Sequence, residues 1–145
     1  MRANHRYILT ILLLAVLCIG TMPALAQTDE RMEKLSAEQK KLAQRVLQFM
    51  SDMDKKYFER VYKLNNNSES ERKEFTSDYS DYDIKVTRGA VVEKMGQMIA
   101  AGKKATPNSR IPGNLVWGRF YSLDAHPKSP LVGMLHATIV LQFYD

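Results

Sequence analysis

Apolar and polar residues alternate along the last part of the chain, and this pattern predicts a β-strand. From residue 134 onward, one set of alternating side chains is apolar: Leu135, Ala137, Ile139, Leu141 and Phe143. The other set is mixed and includes His136, Thr138 and Gln142. Because side chains on a strand point alternately to opposite faces, we expect the apolar set to pack on a core and the mixed set to face a partly polar environment.

A second predicted strand precedes this one, and a proline-containing turn joins the two. Residues 115–125 alternate in the same way, with one face formed by Trp117, Arg119, Tyr121 and Leu123. The turn begins at His126, and Pro127 and Pro130 each fix φ near about −65°. We expect a hairpin-like pair that brings His126 close to His136. Two imidazoles could serve an anionic ligand, although a histidine on a strand is more often a hydrogen-bonded structural residue.

A helical period begins at Ser36, where Ser36-Ala37-Glu38-Gln39 has the spacing of a capping box. Apolar residues then recur every three or four positions: Leu42, Val46, Phe49 or Met50, Met53, Tyr57 and Val61. We expect an amphipathic helix of about six turns that packs on a larger body and ends at the asparagine cluster of residues 65–68. A membrane-surface helix is the alternative, but acids and bases are mixed on the polar face, which favours packing.

The middle of the chain is less regular. Residues 68–83 are polar and predict a solvated loop; their aspartates also allow a calcium loop, but the EF-hand spacing and its glycine are missing. Residues 84–87 predict a short strand. Residues 89–101 fit either a helix or paired strands, and Gly96 favours strands. With a loop at 102–108 and a turn at 111–114, the expected fold is α+β, an antiparallel sheet covered by the N-terminal helix.

The first 26 residues have the features of a secretory signal. Arg2 and Arg6 precede an apolar run from residue 8 to residue 19, and Ala24-Leu25-Ala26 matches a cleavage site. Because the run is shorter than the roughly 20 residues that span a bilayer, cleavage is favoured over an uncleaved membrane anchor. The sequence therefore predicts export to a periplasm or the medium, a flexible segment at 27–35 and a single domain at 36–145.

Composition narrows the class of protein. The chain has 145 residues, of which 45% are hydrophobic and 26% charged, as in a globular domain. Its net charge of +5 falls to 5 − 2 = +3 without Arg2 and Arg6, and no basic stripe interleaved with aromatic residues is visible. These features argue against a nucleic-acid partner. The one cysteine, Cys18, lies in the leader, so the mature chain is expected to have no disulfide and no cysteine metal site.

Two blocks of the sequence resemble the oxygen-dependent coproporphyrinogen III oxidases. Members of that family carry a His-Pro-Lys/Arg-Asn-Pro turn and, after a short spacer, a His-x-Asn-x-Arg strand. Here residues 126–130 and 136–140 stand in these places, with Ser129, Thr138 and Val140 where the family has Asn, Asn and Arg. A second family block, Gly-Ala-Val-Phe-Glu-Lys-Ala-Gly, resembles residues 89–96.

The resemblance implies oxidative decarboxylation of two propionates of coproporphyrinogen III, a step of porphyrin and haem biosynthesis. Dioxygen would be the co-substrate, with no metal and no organic cofactor. His126 and His136 would be the catalytic residues, since an imidazole can take or give a proton. Thr138 would hydrogen-bond the substrate. Arg119 or Lys128 would supply the cation that the family's strand Arg provides and Val140 does not, since fixed cations can hold propionate carboxylates.

The resemblance covers only the first part of a family catalytic domain, and no residue here matches the catalytic Asp that the family's C-terminal segment supplies. Two functions therefore stay open. One is a coproporphyrinogen-oxidase-like enzyme; the other is a non-catalytic exported module that binds a tetrapyrrole-like anion or a protein partner. The last strand is also expected to leave a sheet edge exposed, where a second copy of the chain can pair.

Overall fold

The computed structural model describes residues 29–145, which form one long helix and one five-stranded antiparallel sheet. The elements follow each other as a 3-10 helix (Glu30–Lys34), α1 (Ala37–Asn65), β1 (Glu71–Thr76), β2 (Ser80–Arg88), β3 (Val92–Gly102), β4 (Leu115–Pro127) and β5 (Leu135–Tyr144). The α+β class predicted from the sequence is confirmed. The predicted signal at residues 1–26 lies outside the described residues.

The sheet is a simple meander in which each strand pairs antiparallel with the next one along the chain. The predicted pairing of the last two strands is confirmed, with Leu123 of β4 opposite Ala137 of β5. The segment that fitted either helix or strand is β3, which lies at the centre of the sheet between β2 and β4. Burial alternates along this segment, as expected for a strand rather than a helix: Met95, Gln97 and Ile99 all point toward α1 and are buried.

Helix α1 begins where the capping box predicted. Ser36 Oγ accepts the backbone N–H of Gln39, and the Gln39 side chain accepts the backbone N–H of Ser36. The helix has 29 residues, which is about eight turns rather than six. It ends at Asn65, and Asn66 adopts the left-handed conformation with φ of 48°. The asparagine cluster therefore stops the helix as expected.

The core lies between α1 and one face of the sheet. Met50, Phe58 and Val61 of the helix pack against Met95, Ile99, Tyr121 and Leu123 of the sheet, and a smaller cluster joins Leu35 and Ala43 to Trp117. Of the alternatives Phe49 and Met50, Met50 is the buried residue, and Leu42 of the predicted stripe is exposed. A long helix over a twisted sheet buries a narrower stripe than the sequence period indicates, since only residues directly above the strands are covered.

The prediction of a solvated loop at 68–83 is wrong, because β1 and the start of β2 lie there. Four of the six residues of β1 are charged, so this edge strand carries no apolar alternation. It is held instead by cross-strand contacts: Arg72 forms a two-pronged ion pair with Asp83 at 2.7 and 2.8 Å, and the Phe75 ring stacks on Tyr82 at 4.6 Å. Charges on an edge strand also hinder pairing with other chains.

Residues 29–35, the described part of the segment that the sequence predicted to be flexible, pack on the sheet. Asp29 caps the 3-10 helix by accepting the N–H of Arg31, and Arg31 donates to the carbonyl of Gly102 in β3 at 2.5 Å. Leu35 is buried beside Trp117. No helix in the described part of the chain is both long enough and apolar enough to cross a membrane.

Candidate functional site

The sheet has two unlike faces. The inner face packs on α1, whereas no element among residues 29–145 covers the outer face. Strand register places one residue of each strand in a line across the outer face, and we call this line the apolar row: Phe75, Tyr82, Ala100, Phe120 and Val140. Ile84, Val86 and Met98 extend the apolar surface toward one end of the sheet.

On the outer face, the central strand β3 carries two small residues, with Met98 between them. Ala100 and Gly96 lie on this face, and a Cβ added at Gly96 would meet only a methyl group of Val86, at 3.9 Å. The larger side chains of the neighbouring strands flank this line. The outer face is therefore an apolar platform with open space above Gly96 on its central strand.

Basic side chains lie at one end of this platform. Arg88, Lys94 and His126 are directly paired across β2, β3 and β4, and we call them the cationic row. Lys128 follows two residues after His126. Among residues 29–145, no salt bridge involves Arg88, Lys94 or Lys128. Cations without acidic partners are suited to binding an anion.

His136 lies beside the cationic row and is oriented by two neighbours. Its Nδ1 is 2.5 Å from Oδ1 of Asp124, which is directly opposite on β4, and its Nε2 is 3.0 Å from Thr138 Oγ1. Ser122 donates to the other carboxylate oxygen of Asp124 at 3.4 Å. With Nδ1–H donating to the carboxylate, Nε2 of a neutral imidazole can accept the hydroxyl proton of Thr138. A carboxylate that orients an imidazole in this way can support proton transfer.

The structure divides the predicted site residues between the two faces. His126, His136 and Thr138 lie on the outer face, and Lys128 lies in the turn at the same end. No hydrogen bond joins the two histidines to each other in the described chain. Arg119 lies on the inner face with Trp117 and Tyr121, so it cannot contact a ligand held by His136.

Arg119 is instead part of a buried ion pair. Its guanidinium donates to Asp29 at 2.8 Å and lies over the Trp117 ring. Burial lowers the pKa of Arg119, while the hydrogen bond to Asp29 opposes this change. Burial by itself would raise the pKa of Asp29, but hydrogen bonds from Arg31 and Arg119 outweigh it and lower the pKa. This pair fixes the N-terminal segment on the sheet.

A cleft of about 1200 Å³ lies next to this ion pair, between the first half of α1 and the inner face of β1–β3. Leu47, Ile99 and Ala101 supply apolar surface. Its cations are engaged by acids: Arg31 and Arg119 by Asp29, and Lys103 by Asp81 at 2.6 Å. The cleft therefore has no unpaired cation for a carboxylate ligand, in contrast to the cationic row.

Three residues of the outer-face site were not among those predicted: Arg88, Lys94 and Asp124. Lys94 was within the second block that resembles the oxidases. Once β3 is recognised as a strand, its alternation places Lys94 on the same face as Gly96. Asp124 could have been found by placing the two predicted strands in register, since Leu123 opposite Ala137 puts Asp124 opposite His136. Arg88 had no sequence signal, because the strand that carries it was predicted to be too short.

The arrangement combines a flat apolar surface, unpaired cations and an oriented imidazole. Among the residues described, no group of three or more His, Cys, Asp or Glu side chains is placed to hold a metal ion. Comparison with known proteins adds no family: the chain matches no family model, no curated protein and no solved structure.

Proposed function

We propose that the protein is an exported binding module that holds a flat amphipathic carboxylate, such as a tetrapyrrole, on the outer face of its sheet. The observation that carries this proposal is the cationic row of Arg88, Lys94 and His126 at the end of an uncovered apolar platform. The carboxylates would pair with the cations, and the apolar body would lie on Val86, Ile84 and Met98. Because Gly96 has no side chain, such a body can approach the backbone of β3 at this position.

Charge supports the outer face over the cleft for this ligand. In the cleft each carboxylate of the ligand would compete with Asp29 or Asp81 for a cation that is already paired. On the outer face the nearest acid, Asp124, is held by His136 and Ser122, and Glu71 lies on the far edge strand. An anion at the cationic row thus gains charge-assisted hydrogen bonds without breaking an existing ion pair.

The proposal is tested by titrating the protein with coproporphyrin III and following the absorption of the porphyrin. We expect saturable binding that weakens as salt is added. Replacing both Arg88 and Lys94 by Ala should weaken it about tenfold, since each exposed charge contact is worth up to about 1 kcal/mol. Gly96→Leu should also weaken binding, by filling the space above β3 without changing charge.

The matched control is Lys55→Ala with Lys56→Ala, which removes the same charge from exposed positions on the helix. We expect binding close to that of the unmodified protein. An equal loss of porphyrin affinity in both double variants would assign the effect to overall charge. A lack of saturable binding to the unmodified protein would contradict the proposal.

A second candidate function is the oxidative decarboxylation implied by the family resemblance. The contact of 2.5 Å between Asp124 and His136 favours it, because an oriented imidazole is suited to proton transfer at a bound substrate. Its test is aerobic incubation with coproporphyrinogen III. Formation of protoporphyrinogen that is lost in Asp124→Asn would support an enzyme. Binding of the substrate without turnover would support the non-catalytic binding module instead.

A further inference from the structure

One end of the molecule carries a cluster of exposed apolar side chains, which we call the apolar tip. It consists of Leu131, Val132 and Met134 in the β4–β5 connection and Val91 in the β2–β3 turn. Their exposed fractions are 94%, 57%, 69% and 51%. The Lys128 N–H donates to the carbonyl of Val91 at 3.0 Å and holds the two turns together. Apolar side chains gathered outside the core mark a contact surface.

The apolar tip is held in one shape before it meets a partner. Pro127 and Pro130 restrict the backbone on both sides of Ser129. The Ser129 hydroxyl accepts the Leu131 N–H at 3.3 Å, and the Ser129 carbonyl accepts the Val132 N–H, also at 3.3 Å. A loop ordered in this way loses little conformational freedom when its side chains are buried by a partner.

Cations outnumber acids around the apolar tip. Lys128 belongs to the connection itself, and Arg88 and Lys94 flank the β2–β3 turn. The end of α1 adjoins the same turn through Asn65, which brings Lys63 to this end of the molecule. The neighbouring acids are the exposed side chains of Glu69 and Glu93.

We propose that the apolar tip docks the protein on an anionic lipid surface. Leu131, Val132 and Met134 would enter the headgroup region, and the surrounding cations would lie against lipid phosphates. The protruding shape favours a lipid surface as the partner, because Leu131 is almost fully exposed and a protein partner would have to supply a matching pocket. The apolar tip itself shares no residue with the cationic row, so substitutions in the tip test the docking separately from the proposed ligand, although Arg88 and Lys94 lie near both.

The experiment is co-sedimentation with lipid vesicles, either pure phosphatidylcholine or phosphatidylcholine mixed with phosphatidylglycerol. We expect binding to the anionic vesicles, weaker binding to the neutral ones and a decrease with added salt. Replacing Leu131 and Val132 together by Ser should reduce binding to anionic vesicles at least tenfold, given the apolar area removed. Coproporphyrin III binding should not change in this variant.

Ile111→Ser is the matched control. Ile111 is an exposed apolar residue next to Arg110, in the loop at the opposite end of β4. We expect this variant to bind anionic vesicles like the unmodified protein. A second readout is Leu131→Trp, whose fluorescence should shift to the blue with anionic vesicles, whereas that of Ile111→Trp should not; the native Trp117 is buried and gives a constant background.

Failure to bind anionic vesicles would overturn the proposal. Equal loss in the tip and Ile111 variants would also overturn it, as would binding that the tip substitutions leave unchanged. The last result would assign membrane contact to another part of the chain.

Discussion

The guanidinium of Arg119 lies 2.8 Å from the carboxylate of Asp29, although the two residues are ninety positions apart in the sequence. Both side chains are almost completely buried, with exposed fractions of 11% and 9%. Arg31 also donates to Asp29 and reaches the carbonyl of Gly102. The segment before the helix is thereby joined to β3 and β4, at the mouth of the cleft.

We expect Asp29→Ala to lower the free energy of unfolding by about 3 kcal/mol, because removing one partner of a buried ion pair leaves the other charge uncompensated. Urea unfolding followed by circular dichroism measures the change. The control is Glu33→Ala, which breaks the exposed pair with Lys40 and should cost less than about 1 kcal/mol. Equal losses in the two variants would contradict a special role for Asp29.

The same ion pair predicts a dependence of stability on pH. Arg31 and Arg119 hold the pKa of Asp29 below its ordinary value of 3.8, so below that value the unfolded chain binds a proton more readily than the native protein. Stability from this group is therefore fully present above about pH 4 and is lost as the pH falls through the lowered pKa. Lys103 and Thr76 lower the pKa of Asp81 in the same direction, but that side chain is half exposed and contributes little.

The measurement compares urea unfolding of the native protein and Asp29→Asn at several pH values from about 6 down to about 3. The native protein should lose more stability across this range than the variant, which has no carboxylate to titrate at this position. Parallel losses in the two proteins would assign the acid sensitivity to other carboxylates.

The contact between Asp29 and Arg119 is also an example of a feature that could not be predicted from the sequence. Apolar periodicity predicted α1, β4, β5 and the face that Arg119 shares with Trp117, because these elements bury one regular stripe or face. It missed β1, whose charged residues are held by cross-strand pairs. It could not assign Arg119 to Asp29, since a contact over ninety residues depends on how the chain before the helix folds back. The outer-face cluster was predicted in part, because His136 and Thr138 share a strand face while Asp124 is supplied by the neighbouring strand.

The end of α1 is joined to the β2–β3 turn by one side chain, and we expect its removal to be costly. Asn65 Oδ1 accepts the N–H groups of Val91 and Val92 at 3.1 and 2.8 Å, and Nδ2 donates to the Val92 carbonyl at 3.0 Å. Asn65→Ala should lower stability by about 2–3 kcal/mol, since each lost hydrogen bond costs about 1 kcal/mol. Lys63→Ala, an exposed control on the same turn of the helix, should change it by less than about 0.5 kcal/mol.

Gly89 provides an independent check of this junction. A Cβ at that position would overlap the side chain of Asn65. Gly89→Ala should therefore destabilise the native protein by displacing Asn65, and it should add little to the loss already caused by Asn65→Ala. Fully additive effects, measured by a double-mutant cycle in urea, would show that the two residues act separately.

The two edges of the sheet differ, and the difference favours self-pairing at β5, as the sequence predicted. Four of six residues in β1 are charged, whereas the ten residues of β5 include no Asp, Glu, Lys or Arg. Within the described part of the chain, no strand pairs with the outer side of β5. A long edge strand without charges is a template for pairing with another chain. We propose that two copies pair antiparallel through β5, which remains a prediction to be tested.

The apolar row indicates the register of this pairing. Val140 ends the row at the edge, so a two-fold axis through Val140 continues the row into the second copy. The same register places Thr138 opposite Gln142 of the second copy, polar beside polar, and Ile139 opposite Leu141, apolar beside apolar. Residues 136–144 would then form about eight to ten main-chain hydrogen bonds, a number typical of a stable interface.

Cysteine cross-linking tests this register directly. In a Cys18→Ser background, Val140→Cys places two thiols opposite each other, and directly opposite residues of antiparallel strands have Cα atoms about 4.5–5.5 Å apart, within disulfide range. Thr138→Cys is the control on the same face, with its two copies offset by four residues, about 14 Å along the strand.

We expect rapid oxidation to a covalent dimer for Val140→Cys and little for Thr138→Cys. Comparable cross-linking in both would contradict the register, because thiols separated by that distance meet only through random collision or another mode of pairing. A monomer in sedimentation equilibrium at high protein concentration would exclude the pairing itself. The uncharged edge of β5 would then have to be covered in some other way.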